Sequence, residues 1–290
     1  MLIEETFAAA GVRGRLHARD IDSGRTVGVG AGEQVVLSSI VKVLLVLEFA
    51  RQVASGALDP AERVVVGAGD RFGGWGTAGC ADDVELSLRD LAYFAISISD
   101  NAAADVLLHR LGGPDLLALL AAELGLDRTR VVGGPRQMLE SMFADIGARD
   151  DAEFARLFPT LPPERVAALR VFDPRRTTSS TPEELTRLLG MLWRDEAGPP
   201  AACAAVRELM GRQMSWTRLR SGFPAPVRVA GKTGTLPGLA MEIGVVEYPD
   251  GGRYAVAVFV DGGGRTPRID VDTALGRAAA VAVGMLRDQR

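Results

Sequence analysis

The hydrophobic and polar positions follow strand-like patterns near both ends of the chain and helical spacing between them. Residues 16–20 and 26–30 are short extended stretches around a turn-forming Asp-Ser-Gly sequence, which predicts a β-hairpin. A helix over residues 273–287 is predicted to close the chain. Three further strands are predicted before it, at residues 227–230, 241–248 and 253–260.

Four helices are predicted in the middle of the chain. A buried helix spans residues 39–53, where apolar positions are dense and neither glycine nor proline intervenes. A second begins after Ser87, which Asp90 follows in a capping-box pattern. The other two are residues 114–124 and a helix that begins at Thr181, where a proline occupies the first turn.

Strands at both ends and helices between them predict an α/β fold of the α+β type. It would consist of an antiparallel sheet flanked by terminal helices plus an all-helical lobe. Residues 1–35 and 205–290 would form the sheet-plus-helix domain, and residues 36–204 the mainly helical domain. Residues 127–180 are the least regular part, so we expect a long surface excursion there.

Composition excludes several classes of function. The 33 basic and 37 acidic residues give a net charge of −4, which offers no footprint for nucleic acid or an anionic membrane. No apolar run approaches the roughly 20 residues of a transmembrane helix. With two cysteines and two histidines the chain lacks the spacing of a zinc site, so we expect no metal and no cofactor. The first residues do not resemble a secretory leader, which predicts a cytoplasmic protein unless a leader has been removed.

The rarest polar residues indicate where the chemistry lies. The 33 basic residues include only two lysines, Lys42 and Lys232, and Asn101 is the only asparagine. Where arginine is the usual cation, a retained lysine indicates a need for a compact ammonium or for loss of its proton.

Ser39 and Lys42 form a candidate nucleophile and base. Ser39 lies in the first turn of a predicted helix, and Lys42 follows one turn later on the same face, so its amine can reach the hydroxyl. The sequence around Lys42 is apolar, and burial would lower its pKa enough for it to act as a neutral base. The alternative is a helix cap followed by a solvated cation.

Two further segments carry candidate chemistry. Ser99 and Asn101 stand in an SDN sequence at the end of an apolar helix, where a capping cluster is the alternative. Lys232, Thr233 and Thr235 stand in a KTGT sequence after a predicted strand, where they could seat a carboxylate. The alternative there is a solvated edge strand that the lysine protects from aggregation.

With SxxK, SDN and KTG in this order, the chain resembles the penicillin-recognising serine hydrolases, and most closely class A β-lactamases. The resemblance covers most of the chain. It implies that Ser39 is the nucleophile that opens an amide or lactam carbonyl and that Lys42 is its base. Ser99 would relay a proton to the leaving nitrogen.

The resemblance also implies how a substrate is bound. Asn101 would orient the amine of Lys42 and bind a substrate amide, and Thr233 would mainly support its strand. The backbone N–H groups of Ser39 and Thr235 would form the oxyanion hole. The substrate-binding residues implied in this way are Asn101, Lys232, Thr233, Thr235 and Arg220.

One family feature is missing. Class A enzymes hydrolyse their acyl-enzyme with a glutamate in an ExxLN segment, which cannot exist here because Asn101 is the only asparagine. Glu140 is the carboxylate nearest to the position of this missing segment, and it is the candidate that could activate water for hydrolysis of the acyl-enzyme. The alternative is that Glu140 is a solvated loop residue or forms a salt bridge to Arg136. Residues 149–176 look inserted relative to the family and are expected beside the pocket.

Three functions fit these residues, all with a small-molecule substrate or ligand. The first is a serine hydrolase that cleaves a β-lactam or a related amide or ester bearing a carboxylate. The second is an acyltransferase or biosynthetic hydrolase using the same serine, and the third is a covalent or non-catalytic ligand-sensing module. Ser39 and Lys42 together argue against pure binding, which needs no nucleophile.

Overall fold

The structure is a computed structural model that describes residues 2–73, 75–262, 264 and 268–288. Within these residues there are nine strands: β1 (Arg13–Asp20), β2 (Thr26–Val29), β3 (Val35–Val36), β4 (Arg63–Val66), β5 (Val84–Ser87), β6 (Ser179–Ser180), β7 (Arg228–Leu236), β8 (Leu239–Glu247) and β9 (Arg253–Asp261). The helices of the same part are α1 (Ile3–Ala9), α2 (Lys42–Ala54), α3 (Leu88–Ser97), α4 (Asn101–Leu111), α5 (Asp115–Glu123), α6 (Pro135–Ile146), α7 (Asp151–Leu157), α8 (Pro163–Ala167), α9 (Pro182–Trp193), α10 (Pro200–Gly211) and α11 (Ile269–Arg287).

A five-stranded antiparallel sheet has the strand order β2-β1-β9-β8-β7. The predicted N-terminal hairpin is β1 and β2, in which Leu16 pairs with Val29. The three strands predicted near the end of the chain are β7, β8 and β9, and β7 continues through Leu236, so the KTGT sequence lies inside the strand. The predicted fold class is confirmed, and β7 is the edge strand.

Two apolar cores cover the two faces of the sheet. On one face α1 and α11 pack against alternate residues of the strands, among them Leu16, Val256 and Val258. On the other face α9 and the helical lobe form a larger core, which extends from Ile243 and Phe259 in the sheet into α2, α3 and α4. The alternation along each strand is what allows one sheet to serve both cores.

Two predicted helix starts have the expected caps. The Ser87 hydroxyl accepts a hydrogen bond from the N–H of Asp90 at 3.3 Å, and the Thr181 hydroxyl accepts one from Glu184 N–H at 3.2 Å. These local bonds satisfy N–H groups that have no partner within the helix. Helices α1, α4 and α10 were not predicted, because their sequences are short or rich in alanine and lack a clear apolar stripe.

Residues 127–180 are more regular than predicted. They contain α6, α7 and α8, and a small apolar core joins them to the body of the protein through Val36 and Leu236. A salt bridge between Arg170 and Asp145 at 2.6 Å fastens the second half of this segment to α6. The expectation of an irregular excursion was wrong because glycine and proline mark helix starts here, as Pro135 does for α6.

Helix α9 packs outside its predicted domain, and helix α10 crosses the predicted boundary between residues 204 and 205. Helix α9 packs on β1 and β9 of the sheet although its sequence falls within the predicted helical domain. His17 of β1 contacts Thr186 of this helix, with 2.5 Å between ring Nδ1 and the hydroxyl. Helix α10 instead packs on α2.

Among the described residues, no helix combines the length and apolar character needed to cross a bilayer. The same residues contain no group of three or more histidine, cysteine or carboxylate side chains that could hold a metal ion.

Candidate active site

Ser39 and Lys42 lie at the junction of a short 3₁₀ turn (Ser38–Val41) and α2. Both residues line a cleft between the helical lobe and the segment that leads into α6. Ser38, directly before Ser39, has a positive φ of 46°. A non-glycine residue in this strained conformation is uncommon outside functional sites, and here it sets the direction from which Ser39 enters the helix.

The side chain of Lys42 is 1% exposed and is held by the SDN segment. Its Nζ donates to the backbone carbonyl of Ser99 and to Oδ1 of Asn101, each at 2.7 Å. The carbonyl of Asp100 accepts at 3.2 Å, and the hydroxyl of Ser99 lies 3.4 Å away. A solvated surface cation is therefore excluded for Lys42, and Asn101 orients its amine as the resemblance implies.

Burial lowers the pKa of Lys42 to about 7, although the charges of Asp100 and Asp105 raise it in part. An amine with this pKa is substantially neutral at neutral pH, so it has a lone pair available to accept a proton. The neutral form needs only two of the acceptors around it, because it has two N–H groups instead of three.

The residues of the SDN segment divide into a helix cap, Asp100, and two residues, Ser99 and Asn101, that contact Lys42. The Asp100 carboxylate caps α4, accepting from the N–H of Ala103 at 2.9 Å, and it also accepts from Thr77 N–H at 2.6 Å. Ser99 has a positive φ of 61°, which turns it and Asn101 toward Lys42. Asp100 is therefore a helix cap, as the alternative interpretation predicts, whereas Ser99 and Asn101 face Lys42, the candidate base.

Strand β7 brings the KTGT segment next to Ser38, which lines the cleft. The hydroxyl of Ser38 donates to the carbonyl of Thr235 at 3.1 Å. Because the C=O and N–H of one strand residue point to the same side, the N–H of Thr235 faces Ser38 and Ser39 as well. A Cβ on Gly234 would lie 2.9 Å from the carbonyl of Leu37, so this close approach requires glycine.

Lys232 is completely buried, and its Nζ donates to the carbonyl of Thr233 at 2.8 Å. Burial lowers its pKa well below the usual value, the charges of Lys42 and Arg218 lower it further, and Glu242 opposes them. Because a lowered pKa reduces the protonated fraction of Lys232, an anion at the KTGT segment would be bound more strongly if another cation, with a permanent charge, lay nearby.

A model of the beta-lactamase enzyme family matches residues 2–284 of the chain. The chain belongs to the beta-lactamase family. It is 27% identical over 275 residues to the beta-lactamase regulatory protein BlaB of Streptomyces cacaoi, covering 89% of this chain and 88% of that protein. A beta-lactamase of Mycobacterium tuberculosis is 34% identical over 207 residues, which are 69% of this chain but only 58% of the mycobacterial protein.

Solved structures of the family have the same fold. A variant of the reconstructed last common ancestor of Gram-negative class A beta-lactamases superposes with a TM-score of 0.78, at 23% identity and over 99% of this chain and 98% of that one. PBP-A superposes with a TM-score of 0.75, at 20% identity and over 98% and 96% of the two chains. Family and fold together identify a serine β-lactamase-like hydrolase that acts on amide bonds.

In this β-lactamase family member Arg218, and not Arg220, lies at the KTGT segment. The Arg218 guanidinium donates to the hydroxyl of Thr235 at 3.0 Å and to the carbonyls of Gly234 and Met241 at 2.8 and 3.0 Å. A salt bridge to Asp272 on α11 at 2.8 Å holds it in place.

Arg220 points elsewhere. Its guanidinium carbon lies 4.5 Å from the ring centre of Trp216, a cation–π contact on the surface. The sequence could not separate two arginines two residues apart, because their directions depend on how the short turn Leu219–Gly222 packs on α11.

Glu140 is not at the cleft. It is exposed on α6, and the same helix contributes Pro135 and Met138 to the cleft wall instead. The periodicity of an α-helix puts Glu140 on a different side from Met138, so the position predicted for a water-activating carboxylate is wrong. Among the described residues that line the cleft, none is a carboxylate.

The sequence analysis also missed Ser38, Thr177 and Gln213. The first two line the cleft, and the Gln213 side-chain amide lies 3.2 Å from the hydroxyl of Thr233. The bond supports the strand-stabilising role predicted for Thr233. A second serine next to the SxxK motif was the available signal for Ser38; the other two have no local signal.

Proposed function

We propose that the protein forms an acyl-enzyme through Ser39 with a β-lactam, or a related amide or ester, that carries a carboxylate. The burial and hydrogen bonding of Lys42 carry this proposal, because they supply a neutral base one helical turn from the serine. A buried lysine one helical turn from Ser39 fits the role of a base for this serine.

We expect the acylation step to use these groups in turn. Neutral Lys42 takes the Ser39 proton as the oxygen attacks the carbonyl carbon, and the N–H groups of Ser39 and Thr235 bind the developing oxyanion. When the C–N bond breaks, Ser99 gives its proton to the leaving nitrogen and recovers one from protonated Lys42, 3.4 Å away. The products are the Ser39 ester and a neutral amine, and Lys42 is neutral again.

The substrate carboxylate would bind between Thr235 and Arg218. A guanidinium is a planar cation with several N–H donors that suit a carboxylate, and that of Arg218 already touches the Thr235 hydroxyl. Lys232, whose pKa is lowered, adds positive charge only in its protonated fraction.

Arg218→Ala is expected to raise KM for a carboxylate-bearing β-lactam about tenfold, whereas kcat changes less, because the charged contact is made in the ground state and the transition state alike. Arg220→Ala is the matched control, since it removes the same group two residues away, and we expect less than a twofold change. Steady-state kinetics of both variants measure this, with thermal unfolding as a check on the fold. Equal effects in the two variants would contradict the assignment of Arg218.

The acyl-enzyme should be released slowly. Among the described residues that form the cleft wall, such as Met138 and Thr177, none provides a carboxylate to activate water. A β-lactam is therefore expected to give a burst of one equivalent followed by a low steady rate, with a long-lived adduct in the intact mass. Rapid steady turnover without an accumulating adduct would show that another group activates water.

An acyltransferase is the second candidate, and the same wall without a carboxylate favours it. An amine attacking the ester needs only the base that served in acylation, and Lys42 remains available for it. Adding a primary amine to the isolated adduct should then release a new amide faster than water releases the acid. The covalent sensing module predicts instead that neither amine nor water shortens the life of the adduct.

A further inference from the structure

Glu242 is a buried carboxylate on β8 that the acylation step does not use. It is 2% exposed and lies opposite Thr233 in the register of the sheet. One of its oxygens accepts a hydrogen bond of 2.8 Å from the backbone N–H of Leu219. The other lies over Gly231, where a Cβ would come within 2.6 Å of it. Burying an ionisable group costs free energy, so these contacts mark Glu242 as a candidate for a role at the site.

The N–H that Glu242 holds belongs to the residue after Arg218. From this point the Arg218 guanidinium reaches the hydroxyl of Thr235 at 3.0 Å. The far end of the same segment is held separately, because Gly222 packs against the backbone of Gly276 on α11 without room for a Cβ. The backbone beside Arg218 is thus fixed from α11 on one side and from β8 on the other.

We propose that Glu242 is a positioning residue, which fixes the Leu219 N–H and thereby the backbone from which Arg218 reaches the substrate carboxylate. The inference rests on the proposed function, since it assumes that Arg218 binds that carboxylate. It differs from a counter-charge role, in which the negative charge of Glu242 would act directly on the neighbouring cations.

The positioning role and the counter-charge role depend on the same neighbours of Glu242. The test must therefore separate the effect of its hydrogen bond to the Leu219 N–H from the effect of its negative charge. Burial is the main cause that raises the pKa of Glu242 to about 7; the Leu219 N–H, Arg218 and Lys232 act in the opposite direction, and Asp272 acts with burial. At pH 8 the carboxylate is therefore largely ionised, and its charge and its hydrogen bond are both present.

Three substitutions separate the two roles. Glu242→Gln keeps an acceptor oxygen at the same reach and removes the charge, whereas Glu242→Asp keeps the charge but is one methylene too short. Glu242→Leu removes both. The measurement is the second-order rate constant of acylation at pH 8 for benzylpenicillin and for its methyl ester, followed by intact mass, and the acid-to-ester ratio is compared.

We expect Glu242→Gln to keep the wild-type ratio within about twofold, because the bond to Leu219 survives. Glu242→Asp and Glu242→Leu should lower the ratio about fivefold or more, through slower reaction of the acid alone. If the leucine variant does not fold, the other two still decide. In an Arg218→Ala background, Glu242→Asp should have no further effect on the ratio.

Glu184 provides a matched control. It is 9% exposed and accepts the backbone N–H of Arg128 at 2.9 Å, but it lies on α9 and does not line the cleft. Glu184→Gln and Glu184→Asp should leave the acid-to-ester ratio unchanged, so any general effect of altering a buried glutamate is visible separately.

Four results would overturn the inference. A normal ratio in Glu242→Asp together with a reduced one in Glu242→Gln would establish the counter-charge role instead. Unchanged ratios in all Glu242 variants, or an undiminished effect of Glu242→Asp in the Arg218→Ala background, would remove the link to Arg218. A wild-type protein that forms no adduct with either compound would overturn the proposed function itself, which the other three outcomes leave intact.

Discussion

Replacing Ser39 by alanine is expected to abolish the covalent adduct and to lower turnover by on the order of 10³-fold or more, because the variant lacks the hydroxyl that we expect to form the acyl ester. The fold should survive, since Ser39 is partly exposed and lies in a short turn. Intact mass after incubation with a penicillin and with a fluorophosphonate measures the adduct, and peptide mapping locates it.

The neighbouring serine supplies a stringent control. Ser38→Ala removes a hydroxyl one residue away, and with it the bond to the carbonyl of Thr235. We expect this variant to form the adduct at a reduced rate, because the oxyanion N–H of Thr235 is held less firmly. A full adduct in Ser39→Ala, or an adduct mapped to Ser38, would show that Ser39 is not the nucleophile.

Lys42→Arg is expected to be nearly as damaging as the loss of Ser39. A guanidinium cannot give up its proton at a working pH, and it is larger than the slot that holds the amine among Ser99, Asp100 and Asn101. Acylation should fall by at least about 10²-fold, the usual contribution of a general base. Stopped-flow acylation kinetics measure the loss.

The pH dependence of the acylation rate tests whether Lys42 is the base. With a pKa of about 7, the amine is protonated and inactive below that pH and neutral above it, so the acylation rate should rise with pH and level off above about 8. In Lys42→Arg this rise should be absent. A wild-type rate that is flat between pH 5 and 9, or a Lys42→Arg variant with most of its activity, would show that another group is the base.

Local sequence determined much of this structure. The Ser87 and Thr181 caps and the hairpin of β1 and β2 depend on residues within about one turn or one strand of each other. Hydrogen bonding at helix starts and the burial of an apolar stripe act at this range, so the pattern predicts them. The rarity of lysine in this chain added a signal that located Lys42 and Lys232 without any comparison.

The tertiary structure alone decided which charged groups reach the cleft. Arg218 and Arg220 have the same chemistry and similar surroundings in sequence, and the packing of their turn against α11 sends one to Thr235 and the other to Trp216. Glu140 was placed at the cleft by position in the sequence, whereas the rotation of α6 places Met138 there.

Glu242 shows the same limit. Its environment consists of Leu219, Gly231 and Arg218, which the chain brings to it only through sheet register and loop packing. The sequence thus determined which chemistry the protein carries, because the motif residues and their local spacing are written in it. Which cation and which carboxylate lie beside the KTGT segment depended on side-chain directions that only the assembled sheet and α11 define.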